Sequence, residues 1–225
     1  MDAKQEDDSG RLMRGLKTDR IYRILLCNMN GTLTRYRVAK IAGTEQIHVN
    51  TIINDLEKSR LVEGTKVVDH VGLLKKWSRL RIKYQSQSYM IPDIMKVLKE
   101  TYLEYGLTTY AAESMVNRYL FPSRVELYIR YADFEAWHST LVSHGALVGG
   151  GNTRLRWYDN QVLYNSFSID GRKAVSIPQL IVDLLREVGP AVEAASMMMR
   201  KYKDLLRLNQ LRSVNVVRPN AVGGR

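Results

Sequence analysis

The sequence predicts an α+β fold, in which an N-terminal winged helix-turn-helix precedes a mixed α+β domain with a small antiparallel sheet and a long C-terminal helix. Three observations predict it. Apolar residues recur at helical spacing through 19–58, interrupted at Asn30-Gly31 and at Gly43. Short β-prone runs then follow twice, first around Glu63-Gly64-Thr65-Lys66 and again between 125 and 177. Finally, charge divides the chain. Residues 9–70 carry a surplus of five cations, 106–190 are neutral, and 191–225 are again basic.

The first helix is expected from Asp19 as N-cap, with Ile21, Ile24, Leu25 and Met29 on one stripe. Before it, 1–18 reads as an acidic, disordered tail. Thr34 caps a short helix whose Val38, Ile41 and Ala42 face inward, and Gly43 ends it. From Glu45 helical spacing resumes, with Val49, Ile52, Ile53 and Leu56 at i, i+3, i+4 and i+7. Two short strands around the Gly64 turn complete a winged unit over 19–70.

If those aliphatic residues turn inward, Gln46, His48, Asn50, Thr51, Asn54 and Lys58 lie on or near the outward face. Asn and Gln amides pair bidentately with adenine, and a Thr methyl contacts thymine. Arg35, Arg37 and Lys40 on the preceding helix, and Lys66 at the wing tip, are placed to meet phosphates and fix register. The expected partner is double-stranded DNA. A winged helix that docks on another protein is the alternative.

Residues 71–105 read as linking helices. Asp69 caps a helix with Leu73, Leu74, Trp77 and Leu80 inside and Lys75, Lys76, Arg79 and Lys83 outside. Lys75, Lys76 and Arg79 are either further phosphate contacts or a solvated face. Residues 84–92 read as a loop or short strand, and Pro92-Asp93 opens a second helix running to Gly106.

The domain over 106–212 begins with a helix capped by Thr108-Thr109. Next comes a half-buried strand with Val125, Leu127, Ile129 and Tyr131 inside and Glu126, Tyr128 and Arg130 outside, then a helix over 133–143. Strands are expected at TRLRWY, QVLYNSFSI and RKAVSI, with Asp170-Gly171 as a hairpin turn. Helices follow from Pro178 and from Ala191. The second is the long one, and a candidate homodimer interface. Residues 213–225 read as a flexible tail.

Composition narrows the chemistry. The 225 residues hold 34 Lys+Arg against 23 Asp+Glu, a net charge of +11 that favours polyanionic partners. One cysteine, Cys27, allows no internal disulfide. With no leader-like or membrane-length apolar stretch, a cytoplasmic setting is expected. The four histidines show no ligand spacing, so no metal or other cofactor is expected. Gly149-Gly150-Gly151 precedes a strand and lacks the Lys-Ser/Thr of a phosphate loop, which leaves a flexible hairpin loop. No catalytic motif is found. The enzymatic alternative is a nucleic-acid-processing site assembled from Asp133, Asp159, Asp170 and Asp183.

Four pieces, in order, resemble the AbiEi-type antitoxins of type IV toxin–antitoxin systems and related winged-helix regulators. They are VVDHVGLLKKW, YGLTTYAAES with the strand VELYIR, FSIDGRKAVSIPQLIVDLL, and AVEAAS. Thr109 departs from the pattern, since members often carry Gly there. The resemblance implies a winged helix that represses its own promoter, and a C-terminal domain that helps neutralise a nucleotidyltransferase toxin. An orphan transcription factor is equally compatible with it.

Overall fold

The computed structural model describes residues 3–206. Helix α1 (Ala3–Cys27) begins far upstream of Asp19, so 3–18 is helical where a disordered tail was expected, and Asp19 is interior to the helix. From Thr18 to Cys27 α1 is buried on nearly every side. These turns bury Ile21, Ile24, Leu25 and Leu26 together with the charged Asp19 and Arg23, so the helix needs neighbours on several sides. Accordingly α1 packs against α2 (Arg35–Ala42), α4 (His70–Ser78) and α8 (Ile177–Arg186).

The caps read from sequence form at three helix starts. Thr34 accepts the Arg37 amide, Asp69 that of Gly72, and Asp93 that of Lys96. Gly43 takes φ 61° and closes α2 with left-handed geometry. Helix α3 (Gln46–Lys58) buries Val49, Ile53 and Leu56. A two-stranded hairpin, β1 (Val62–Glu63) and β2 (Lys66–Val67), leads into α4.

Within 71–105 the short strand allowed for at 84–92 forms, but it belongs to the main sheet and not to a linker. It is β3 (Gln85–Met90), and α5 (Ile94–Glu100) stops six residues short of Gly106. The other strands are β4 (Gly106–Thr108), β5 (Val125–Tyr128), β6 (Leu147–Val148), β7 (Thr153–Trp157), β8 (Phe167–Ile169) and β9 (Arg172–Ala174). They form a seven-stranded sheet in the order β6-β3-β7-β5-β4-β9-β8, in place of a small antiparallel one. It is mixed, because β5 runs parallel to β7 and β4 parallel to β9. Strand β5 sits mid-sheet under helices, so Glu126 and Tyr128, expected to face solvent, are buried. Glu126 is neutralised there by Arg156, by Arg124 at 2.9 Å and by Arg154 at 3.4 Å.

Three local differences have plain causes. Strands β6 and β7 flank β3 on either side, so the triple glycine arches over β3 instead of turning a hairpin. A Cβ at Gly151 would fall on the Tyr89 carbonyl. Residues 160–163 wind into a 3-10 turn capped by Asp159, which shortens the expected strand to β8. Helix α9 (Pro190–Arg200) stops at Lys201, and helix resumes over 202–206, so the long C-terminal helix is interrupted. The expected tail over 213–225 lies outside the described residues. As read, Asp170-Gly171 turns β8 into β9, with φ 49° and 75°.

Thr109 opens α6 (Thr109–Val116) with φ 48° while fully buried, a conformation that disfavours a β-branched residue and suits glycine. Its hydroxyl donates to Glu126 at 3.1 Å. Helix α7 (Phe134–Ser143) buries Trp137, edge-on to Tyr105, and Leu141, and meets β3 where His138 contacts Tyr89. One hydrophobic cluster runs from Ile21 on α1 to Leu205, joining the N-terminal helices and the sheet in a shared core. Among the described residues no helix is long and apolar enough to cross a membrane.

Candidate nucleic-acid interface

Helix α3 presents a polar face outward because its aliphatic positions fall on the opposite side. Gln46, Thr51, Asn54 and Lys58 are exposed. Thirteen residues at 1.5 Å each span about 20 Å, enough to cross a major groove about 12 Å wide. Helix α3 packs mainly against α2 and β1.

Not every expected reader is on that face. His48 and Asn50 are half-buried. The His48 Nε2 is buried without a hydrogen-bond partner, and burial, then Lys17, holds the imidazole below its ordinary pKa. The ring is therefore disposed toward its neutral form and inward, a correction to its outward placement. The Thr51 hydroxyl donates back to the Ile47 carbonyl at 2.9 Å, which commits its proton and leaves the methyl for apolar contact. Ile47 itself is 71% exposed on the same face. Sequence reasoning passed over it, although two residues before Val49 is about 200° around the helix.

Arg35 is also corrected. Expected to meet a phosphate, its guanidinium instead donates to Asn54 Oδ1 at 2.7 Å and to Glu57 Oε2 at 2.9 Å. That occupies the acceptor Asn54 needs for a bidentate adenine contact. Glu57 in turn accepts the Gly64 amide at 2.8 Å, so one carboxylate ties α2, α3 and the hairpin together. The Gly64 N–H, followed by Arg35, holds the Glu57 carboxyl below the usual range.

The hairpin is fastened on its other side as well. Thr65 donates to the Leu33 carbonyl at 2.5 Å, Val67 N–H donates to Met29, and Lys66 bridges to Asn30. Gly31, at φ 72°, makes this approach possible, since a Cβ there would lie 2.8 Å from Lys66 Cβ. The tip is Gly64-Thr65, so Lys66 lies in β2 and not at the tip, with its side chain exposed.

Around α3 the cations fall into two groups. Arg37, Lys40, Lys58, Lys66, Lys75 and Arg79 are exposed and form no ion pair among the described residues. Lys76 is engaged, donating to Asp55 at 2.7 Å and pinning α4 beside α3. Arg60 adds an exposed cation just beyond α3.

The carboxylates of the enzymatic alternative have structural employment. Asp159 receives Arg20 in a fork at 2.6 and 3.0 Å, and Asp133 receives Arg130 at 2.8 Å. Asp183 is buried and accepts from Thr108, Gln179 and Tyr128. Burial raises its pKa, and Arg186 opposes that shift. Asp170 sits in the β8–β9 turn. Among the described residues no three acidic, His or Cys side chains gather to hold a metal ion.

No family model, curated protein or solved structure matches the chain.

Proposed function

We propose that the chain is a sequence-specific, double-stranded-DNA-binding transcriptional regulator of the cytoplasm, and that α2, α3 and the β1–β2 hairpin act as its winged helix-turn-helix. The observation that carries this reading is the exposed face of Gln46, Thr51, Asn54 and Lys58, flanked by unpaired Arg37, Lys40 and Lys66. Gln46 offers a free amide to a base edge, Thr51 a methyl, and the flanking cations a phosphate footprint. Asn54 reads a base only after Arg35 releases its carbonyl oxygen.

The four sequence pieces that resemble AbiEi-type antitoxins extend the proposal. On that reading the protein represses its own promoter, as a homodimer on a palindrome, and the large sheet supports neutralisation of a nucleotidyltransferase toxin. A second reading, docking on a protein, is favoured by Ile47 and by Tyr36, which is 61% exposed on α2.

Fluorescence anisotropy with the protein's own upstream DNA, against scrambled DNA, tests the first reading. Gln46→Ala combined with Asn54→Ala is expected to lower the specific-to-nonspecific ratio by roughly 10- to 100-fold. Lys66→Ala should weaken both duplexes alike and reduce the salt slope by about one. Absence of any salt-sensitive binding to duplex DNA would leave the protein-docking reading in its place.

A further inference from the structure

A cleft of about 540 Å³ opens between α1, the segment joining α4 to β3, and the end of β7, and no residue of α3 lines it. Its wall is aromatic. The half-exposed Trp157 ring lies 6.2 Å from Tyr131 at an interplanar angle of 30°, and Phe134 supports it at 4.9 Å. Its indole N–H donates to Gln85 at 2.7 Å, which fixes the ring's orientation. Tyr131 is 69% exposed, so much of its surface is free to take a further planar group.

Arg81 and Lys83 also line this cleft, exposed and without an ion pair among the described residues. Asp159, the one carboxylate lining it, is already neutralised by the Arg20 fork. The cleft therefore has a positive rim beside a stacking surface. Asn160 and the remaining amide N–H groups of Gln85 supply hydrogen bonds for the edge of a ring.

We propose that this cleft binds a nucleotide, with the base stacked on Trp157 and Tyr131 and the phosphate held by Arg81 and Lys83. The volume suits one small ligand, since such pockets span about 300–1,000 Å³. Aromatic wall and paired cations together select a planar ring that carries negative charge, and neither half suffices alone. The same chemistry is presented by a free mononucleotide and by the 5′-phosphorylated end of a single strand.

Trp77 and Trp137 are fully buried, which leaves Trp157 as the indole a ligand can reach. The full chain is titrated with nucleoside 5′-monophosphates while tryptophan emission is followed, with calorimetry in parallel. Saturable quenching is expected, with a dissociation constant on the order of 0.1–1 mM. The matching nucleoside and inorganic phosphate should each bind at least about tenfold more weakly. Arg81→Ala with Lys83→Ala, and separately Tyr131→Ala, should each weaken binding about tenfold while the melting temperature stays unchanged.

A 5′-phosphorylated tetranucleotide distinguishes the two sources. Tighter binding than the monophosphate supports a strand end, and equal or weaker binding supports the free nucleotide. No saturable binding, binding equal to that of inorganic phosphate, or variants indistinguishable from the parent would overturn the proposal. Gln46→Ala with Asn54→Ala should bind the nucleotide as the parent does, which keeps this test independent of the duplex reading.

Discussion

Two regions of this molecule are built from the same kinds of side chain and behave as opposites. On the outer edge Arg35 holds Asn54 and Glu57, with side-chain exposures of 30% and 36% for the charged pair. In the seam between α1 and the sheet Arg23 holds Asp19, and both are fully buried. There Asp19 accepts from Arg23 at 2.5 Å, from the Trp77 indole at 2.6 Å and from Tyr158 at 3.2 Å. Arg23 also donates to Gln179, which donates to Asp183, so the chain of bonds reaches α8. Water can replace any partner at the outer edge, whereas Asp19 and Arg23 have no exposed surface at which it could enter, although Arg23 Nη1 is left without a hydrogen-bond partner. Residue type does not distinguish a surface that can exchange partners for a ligand from a polar core that cannot; burial does.

The largest effect should come from breaking the seam. Arg23→Met removes the cation and leaves Asp19 as a buried carboxylate with its charge unpaired, which costs about 3–5 kcal/mol. Urea denaturation of the full chain measures it. A loss below about 1 kcal/mol would mean that water enters the seam and that the two regions are alike.

Alkaline titration sharpens the same contrast. Burial drives the Tyr128 and Tyr158 phenols well above their ordinary value, and nearby Asp183 and Asp19 add to it. For an acid raised in the folded state, the stabilisation is complete below the unfolded pKa of about 10 and is lost as pH climbs toward the folded value. Stability should therefore fall above pH ~10, and phenolate absorbance from these two rings should rise only together with unfolding. Smooth ionisation of every tyrosine in protein that remains folded would show that the seam is open.

The helical stripes were legible because a period of 3.6 needs no tertiary knowledge: Ile21, Ile24 and Leu25, then Val49, Ile53 and Leu56, then Leu73, Leu74 and Trp77 are all buried. The caps at Thr34, Asp69 and Asp93 were legible for the same local reason. Strand direction was not, because alternation along β5 carries no information about whether β7 lies parallel or antiparallel to it. Membership of β3 in the sheet depends on Trp157 and Leu155 more than sixty residues away. Asp19 resembled a cap because an acidic residue before an apolar run usually is one; its buried partners Trp77 and Tyr158 come from distant segments. At the candidate interface, periodicity gave the face, whereas Arg35 turning onto Asn54 and Glu57 required the α2–α3 contact.

The smallest effect is expected at the outer edge. Arg35→Ala severs a solvent-screened ion pair, so the denaturation midpoint should hardly move. Glu57 keeps the Gly64 amide, so the hairpin stays attached to α3. What changes is Asn54, whose carbonyl oxygen is released and can now pair with adenine together with its amide N–H groups. Discrimination between specific and scrambled duplex should hold or improve, read by anisotropy at fixed salt. Should Arg35→Ala cost as much stability as Arg23→Met, the outer edge is as obligatory as the seam. Asn54 would then have no freedom to leave its partner for a base.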